Sequence, residues 1–388
     1  MIDRIAERAA AHGRLAIDTE FISERRYQAQ LCLVQVAVPD PDGPEGVRTE
    51  VIDPLHDHRA LDVEPLAAVL ADPAVEVVVH AGRQDVAILR RTWGAEVRRV
   101  FDTQVAAGFL GYGNQEGYEA LVRRVLDVKL RGGEGFTRWD KRPLTPKQIA
   151  YAADDARCLL ALGDEIERRL RERGRLEWAL EECRLVEDSR DERSPEQAYE
   201  RLPKLGRLDA GGRAVARRLC EWRDRVAREM DRPPPFLVSD QVLTELARRR
   251  PEDRAGLESI RGLPQATLHR RGPELLDQIA AARGDDPPPP PPRGPRRNAA
   301  EAPLISLAQA LVRQRSLDSG VATELIATQS ELAALVGAVR RGGDGRGVRA
   351  LGGWRRQLVG DQLRELIEGR CAVSVEPDGG LSVVRRAP

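Results

Sequence analysis

The 388-residue chain has no long apolar run, no paired cysteines, almost no lysine and no net charge, and each shortage excludes a class of protein. No stretch approaches 18 uncharged apolar residues, and Met1 to Ala11 holds Asp3, Arg4, Glu7 and Arg8 where a secretory leader needs an apolar segment. Neither a membrane span nor a signal peptide is expected. The five cysteines, Cys32, Cys158, Cys183, Cys220 and Cys371, are odd in number and never form a C-x-x-C pair, so neither a disulfide framework nor a zinc site is signalled. A cytoplasmic location fits this usage. Lysine supplies only four of the 62 basic residues. A genome-wide codon bias gives the same excess of arginine, so it is the placement of the arginines that carries information.

The net charge of +0 argues against a polycationic nucleic-acid binder only if charge is evenly spread. It is not. Residues 1–200 hold 29 basic and 38 acidic side chains, and residues 201–388 hold 33 and 24. Neutrality is a cancellation between halves, an asymmetry that points to a nucleic-acid partner for one part.

Short apolar runs at 14–20, 31–38, 49–55 and 75–79 read as strands, interleaved with helical patterns at 64–71, 83–93, 103–110 and 117–126. A long helix is expected over 146–173, opened by Thr145-Pro146 as cap and first residue. This order predicts an α/β domain with a mixed sheet over 1–176. Residues 177–204 form an acidic connector, 205–284 a small all-α domain, and 285–302 a linker in which Pro287 to Pro292 favour extended polyproline II. A second helical module follows at 303–372. The 373–388 tail has hairpin chemistry around Pro377-Asp378-Gly379-Gly380.

Asp18 and Glu20 lie two residues apart on the first strand, so both carboxylates point to one face. Two adjacent acids repel and are costly to bury unless a divalent cation neutralises them; the bland alternative is a strand end facing solvent. Asp85 stands where a buried strand passes into a helix, five residues after His80, and alone is an ordinary helix-start acid. Tyr151 and Asp155 are i and i+4 on the long helix and share a face, whereas Asp154 is rotated about 100° away and reads as a solvated or Arg-paired acid. Four hard oxygen donors suit Mg²⁺ or Mn²⁺.

The series Asp18-Thr19-Glu20-Phe21, His80-Ala81 through Asp85, and Tyr151 through Asp155 resembles the DEDDy 3′-to-5′ exonucleases of the ribonuclease D family. Phe101-Asp102-Thr103, Gly117-Tyr118 and Thr137 to Leu144 look like its connecting elements. Residues 207–283 resemble an HRDC domain, and residues 303–372 a second, more divergent one. Two departures stand out: Thr137-Arg138 where the family commonly has Ser/Thr-Asp before Trp139, and Arg131-Gly132-Gly133 in a segment that usually bears Lys.

The resemblance implies a ribonuclease-H-like exonuclease domain followed by two small all-α HRDC-like domains. It implies an exoribonuclease releasing 5′-mononucleotides from RNA 3′ ends, tRNA precursors among them. Asp18, Glu20 and Asp155 would hold one ion, with Asp18 bridging to a second supported by Asp85. Tyr151, too weak a base at neutral pH, would orient the attacking water. Phe21, His80, Tyr118, Trp139 and Arg142 are secondary expectations for substrate contact, set against core packing for the aromatics and a structural hydrogen bond for His80. Arg213, Arg217, Arg218, Arg225, Arg228 and Arg248-Arg249-Arg250 form either a phosphate-facing stripe or a solvated face, and Arg313, Arg315, Arg355 and Arg356 extend that surface. Trp222 and Trp354 read as core. A DNA exonuclease of the same chemistry, and a scaffold that binds without cleaving, are the competing readings.

Overall fold

The computed structural model describes residues 1–56, 61–130, 137–192, 194–290 and 299–386. Five strands, β1 (Arg14–Ile22), β2 (Gln30–Pro39), β3 (Val47–Ile52), β4 (Glu76–Val79) and β5 (Val100–Asp102), form one sheet in the order β3-β2-β1-β4-β5. β2 and β3 are antiparallel, while β1 with β4 and β4 with β5 are parallel. The sheet is mixed, as the strand and helix order predicts. β2 is an almost unbroken apolar run because every residue from Leu31 to Val38 is buried. β5 is absent from the sequence expectation: three residues give no periodicity, yet all three are buried.

Helices flank the sheet: α1 (Ile2–His12), α2 (Glu64–Ala71), α3 (Arg83–Trp93), α4 (Thr103–Ala107), α5 (Tyr118–Leu126), α6 (Pro146–Arg157), α7 (Leu159–Glu172) and α8 (Leu176–Glu187). α6 opens with a full capping box, in which Thr145 accepts from the Gln148 amide and Gln148 reaches back to the Thr145 amide. The single helix expected over 146–173 divides at Cys158, so that α6 packs on β3 while α7 packs on β4. The expected connector is helical in α8, which buries Ala179, Cys183 and Val186 and packs on β5.

The chain divides into two compact units, one of Met1–Glu20, Cys32–Arg190 and Pro295–Pro388, the other of Phe21–Leu31 and Asp191–Gly294. The first contains the sheet and also the C-terminal helices α15 (Ala302–Ser319), α16 (Thr323–Ile326), α17 (Gln329–Arg340), α18 (Gly353–Arg355) and α19 (Asp361–Ile367). The sequence sets 303–372 apart as a module, but one apolar core runs from Ala16, Val78 and Phe101 to Leu311, Leu335 and Leu363. Trp354 lies edge-on to Phe109 at 4.9 Å and stacks on Trp178 at 5.5 Å. The tail forms the antiparallel hairpin β6 (Cys371–Val375) and β7 (Leu381–Arg385).

The second unit is helical, built around α10 (Ala210–Glu229), α12 (Asp240–Arg249) and α14 (Gln265–Ala281), with α9 (Pro195–Glu200) against α10 and the short α11 (Pro234–Leu237) and α13 (Arg254–Glu258) on either side of α12 in the chain. Trp222 is core here, 2% exposed, its Nε1 donating to Glu274. Tyr27 is buried in the same unit, its hydroxyl 2.6 Å from Asp224 and its amide donating to Asp231. Among the described residues no helix is long and apolar enough to cross a membrane.

Candidate active site

Three parallel strands end side by side, and strand ends of this kind are where α/β sheets place their chemistry. β1 carries Asp18 and Glu20 in the middle of the sheet, β4 runs into the junction that presents Asp85, and β5 ends at Asp102. Asp102 caps α4 by accepting from the amides of Gln104 and Val105, and it also accepts from those of Ala81 and Gly82. Those bonds hold Ala81 at φ +55, a backbone conformation that L-residues rarely adopt. A side chain at residue 82 would meet Val79 at 2.5 Å, so only glycine permits the turn. The outcome is a fixed start for α3, whose Asp85 is 7% exposed and accepts a hydrogen bond from the Thr19 hydroxyl.

The sequence-predicted acids are brought together. Burial and then Asp85, Asp155 and Glu20 push the Asp18 carboxyl well above the ordinary aspartate range. Glu20 is pushed up to about 8 by burial, Asp155 and Asp85. Asp155 is pushed up to about 7 by burial and Asp154, and Asp85 to about 6 by burial against the opposing Thr19 hydrogen bond. Among the described residues no cation is a leading influence on Asp18, Glu20 or Asp155. No three carboxylate or imidazole side chains among them close to single-ion ligating geometry, so the acids stand as grouped, mutually repelling donors. An all-oxygen set whose charge the chain leaves unbalanced fits a hard divalent cation.

Tyr151 donates its hydroxyl to Asp155, and burial together with Asp155, Glu20 and Asp18 raises its pKa further. Its ring stacks on Trp139 at 6.2 Å. Trp139 is 3% exposed, which favours core packing, the alternative set against stacking on a nucleotide. For Arg142 the expected substrate contact is corrected. Its Nε and one terminal nitrogen clasp Asp53 at 2.7 and 2.5 Å, and its remaining donors go to the carbonyls of Cys32, Trp139 and Lys141. With all five N–H groups engaged, it anchors the 137–145 segment instead of a substrate. Asp154 pairs with Arg157 at 3.0 Å, in the role expected of it.

His80 and Tyr118 lie together, ring centroids 5.4 Å apart. The Thr103 hydroxyl donates to the Val79 carbonyl, so it accepts from His80 Nδ1, which carries the proton. Burial lowers the His80 pKa, opposed by the charge of Asp102 and the Glu116 backbone; among the described residues neither His80 Nε2 nor the Tyr118 hydroxyl meets a hydrogen-bond partner in good geometry. Tyr118 sits in the field of Asp155 and Asp18, which adds to the effect of burial in raising its pKa. Phe21 is half-buried and is the first residue of the second unit. Arg131-Gly132-Gly133 lie outside the described residues. The sequence places Thr19 inside the first motif and Asp102-Thr103 among the family's connecting elements without showing the task of any of them; the one legible signal is Asp102 before a helical pattern, a cap residue.

The expected basic stripe is largely committed within its own unit. Arg213 and Arg217 donate to the carbonyls of Pro288 and Asp286, Arg218 clasps Asp285, Arg248 and Arg249 share Glu245, and Arg250 meets Asp209. Arg355 is no surface group, being 2% exposed against Glu182.

A mixed sheet with two acids on its central strand, a third at a strand–helix junction and Tyr-x-x-x-Asp on a covering helix is the arrangement of a 3′-to-5′ exonuclease. The family model described as 3′-5′ exonuclease matches residues 2–171, and that of the HRDC domain residues 212–279. The chain is 34% identical over 377 residues to ribonuclease D of Acidiphilium cryptum, covering 95% of this chain and 92% of that one. It is 36% identical to ribonuclease D of Granulibacter bethesdensis over 93% and 89% of the two chains. The Escherichia coli RNase D crystal structure superposes with a TM-score of 0.81 at 28% identity, over 95% of this chain and 96% of that one. The chain belongs to the ribonuclease D family: it is an exoribonuclease that works from RNA 3′ ends.

Proposed function

We propose that the chain matures RNA 3′ ends in the cytoplasm, tRNA precursors first among its substrates, by hydrolysing the terminal phosphodiester and releasing a 5′-mononucleotide. The observation that carries this reading is the grouping of Asp18, Glu20, Asp85 and Asp155 with the Tyr151 hydroxyl, on elements fixed by packing. The Escherichia coli enzyme it resembles is described as involved in structured RNA processing. Asp18, Glu20 and Asp155 would hold one divalent ion, Mg²⁺ or Mn²⁺, and Asp18 with Asp85 a second. Such a pair supplies a nucleophilic water at neutral pH and neutralises charge on the leaving 3′ oxygen.

The chain's own groups do the positioning. Tyr151 stays protonated at neutral pH, so its hydroxyl acts by hydrogen bonding, holding the Asp155 carboxylate and orienting the attacking water. Trp139 fixes the Tyr151 ring, and Thr19 fixes the Asp85 carboxylate. His80 Nε2 and the Tyr118 hydroxyl supply one acceptor and one donor for the substrate backbone or sugar. The test is a timed digestion of a 3′-extended tRNA precursor with Mg²⁺ and with Mn²⁺, with the product ends sequenced. Stepwise shortening from the 3′ end to the mature terminus is expected. An untouched trailer in both metals, while a plain single-stranded RNA is degraded, removes tRNA precursors from the reading.

A further inference from the structure

The acid cluster creates a problem for its own substrate: RNA is a polyanion, and the centre that cleaves it concentrates negative charge. Affinity for the backbone has to come from cationic groups elsewhere on the protein. The stretch 340–364 holds seven arginines and two aspartates. Arg355 is spent on Glu182 in the core. Four others, Arg346, Arg349, Arg356 and Arg364, line a cavity of about 570 Å³ in the C-terminal module, rimmed by the Asp344 to Gly347 loop.

This cavity differs from another of similar volume in the same unit. That one, about 560 Å³, is lined by Arg8, Arg48 and Arg157 but also by Asp40, Asp42 and Glu50, so its charges balance. Here four arginines face the single carboxylate of Asp344. Three of them are also paired with acids: Arg346 Nε is 2.7 Å from Asp344, Arg356 Nε 3.0 Å from Asp361, and Arg349 lies 3.0 Å from Glu331 and 4.0 Å from Glu182. Arg346 is 92% exposed and Arg356 61%, and pairs this exposed contribute little and exchange readily. A guanidinium has five N–H donors, so one acid does not exhaust it.

Arg364 has no carboxylate partner among the described residues. One terminal nitrogen donates to the Asp344 carbonyl at 3.1 Å, and its Nε is buried with no acceptor among the described residues. A buried charged donor left open is expensive unless something fills it. The loop beside it turns through Gly345 and Gly347 at φ +69 and +86, conformations that glycine adopts readily and other residues rarely.

We propose that this cavity is a second RNA-binding subsite, gripping a backbone phosphodiester of the substrate without reading its bases. The fork of N–H groups on a guanidinium matches the two non-bridging oxygens of a phosphodiester. Arg364 would engage the phosphate from the cavity floor, and Arg346 and Arg356 from the rim. The proposal assigns RNA binding to the C-terminal module, which the HRDC family model does not reach.

The test uses the full chain and a 5′-labelled single-stranded RNA of about 30 nucleotides. Binding is measured in chelator across a salt series, and trimming is measured with Mn²⁺. R346E/R356E changes exposed groups only, and R364M probes the floor; thermal unfolding checks that each stays folded. The charge-reversed variant is expected to bind about tenfold more weakly, with a salt slope shallower by about 0.7 for every phosphate it no longer neutralises. KM for the long RNA should rise while kcat at saturation holds, which separates this subsite from the catalytic acids. Parental affinity and slope in R346E/R356E, or displacement of RNA by 1 mM 5′-AMP from the parent but not from that variant, overturns the proposal. The second result would make the cavity a mononucleotide site.

Discussion

Glu182 and the four acids of the candidate active site are buried or half-buried within one compact unit, and their carboxyls are pushed in opposite directions. At Glu182 burial favours the neutral form, but the Arg355 guanidinium at 2.5 Å, the Trp354 indole at 3.2 Å and the charge of Arg349 outweigh it and hold the carboxyl below its ordinary range. At Asp18 and Glu20 burial is joined by neighbouring carboxylates, and among the described residues no cation is a leading influence against it. Burial is common to both places; the partner decides the sign. One region closes its electrostatics with the chain's own arginine and so becomes structure, while the other leaves them open and so becomes a site.

Removing the acids is the sharpest way to break this comparison. Asp18→Ala with Asp155→Ala deletes donors to both proposed ions and should cost at least about 4 kcal/mol of transition-state stabilisation, or roughly 10³-fold in trimming rate. The same variant should melt no lower than the parent in chelator, because it loses repulsion. A rate within tenfold of the parent's would defeat the assignment. The mirror experiment is Arg355→Ala, which leaves Glu182 buried and uncompensated and should lower stability by about 3–5 kcal/mol. Glu182→Leu with Arg355→Met removes both charges and should recover most of that loss in denaturant titration. Equal damage from the single and double variants would mean that packing around Trp354, and not charge, joins the C-terminal helices to the sheet.

The two regions also differ in how far the sequence reveals them. Asp18 and Glu20 share a strand face by a period of two, and Tyr151 and Asp155 a helix face by i and i+4, so local geometry and family resemblance converge on the site. The Glu182–Arg355 pair spans 173 residues and has no local signature. Residues 303–372 read as a separate module for the same reason: helical periodicity shows an apolar face but not which surface covers it. Trp139 and Arg142 show a related limit. An aromatic and an arginine near a catalytic motif suit a nucleotide by composition, and only the stacking on Tyr151 and the clasp on Asp53 show them serving the protein itself.

Tyr151→Phe sharpens the comparison inside the active site, because it removes one hydrogen bond and leaves every carboxylate in place. If the hydroxyl orients water and Asp155, kcat should fall about 10–100-fold, the value of one hydrogen bond to a charged group, with KM for RNA nearly unchanged. A fall in affinity at constant kcat would instead make Tyr151 a substrate-binding residue.

The smallest expected effect is the pH dependence of stability without metal, and it carries the same contrast in sign. A carboxyl raised on folding stabilises the protein fully below its unfolded pKa, near 4, and that contribution is lost as pH climbs through the folded values of about 6 for Asp85, 7 for Asp155 and 8 for Glu20. Glu182, lowered on folding, contributes above its unfolded pKa and loses that contribution as pH falls. In chelator the melting temperature should therefore drop between pH 5 and pH 8.5, by roughly 1–3 °C for a net change of about 1–2 kcal/mol after repulsion relaxes. Added Mg²⁺ or Mn²⁺ should restore it most at the alkaline end, where the acids are ionised and ready to bind. Glu20→Gln should flatten the slope at its alkaline end, since it withdraws a group that titrates at about 8. A metal-free protein whose stability rose steadily from pH 5 to pH 8.5 would mean that the acids already have a cationic partner, and the distinction between the two regions would disappear.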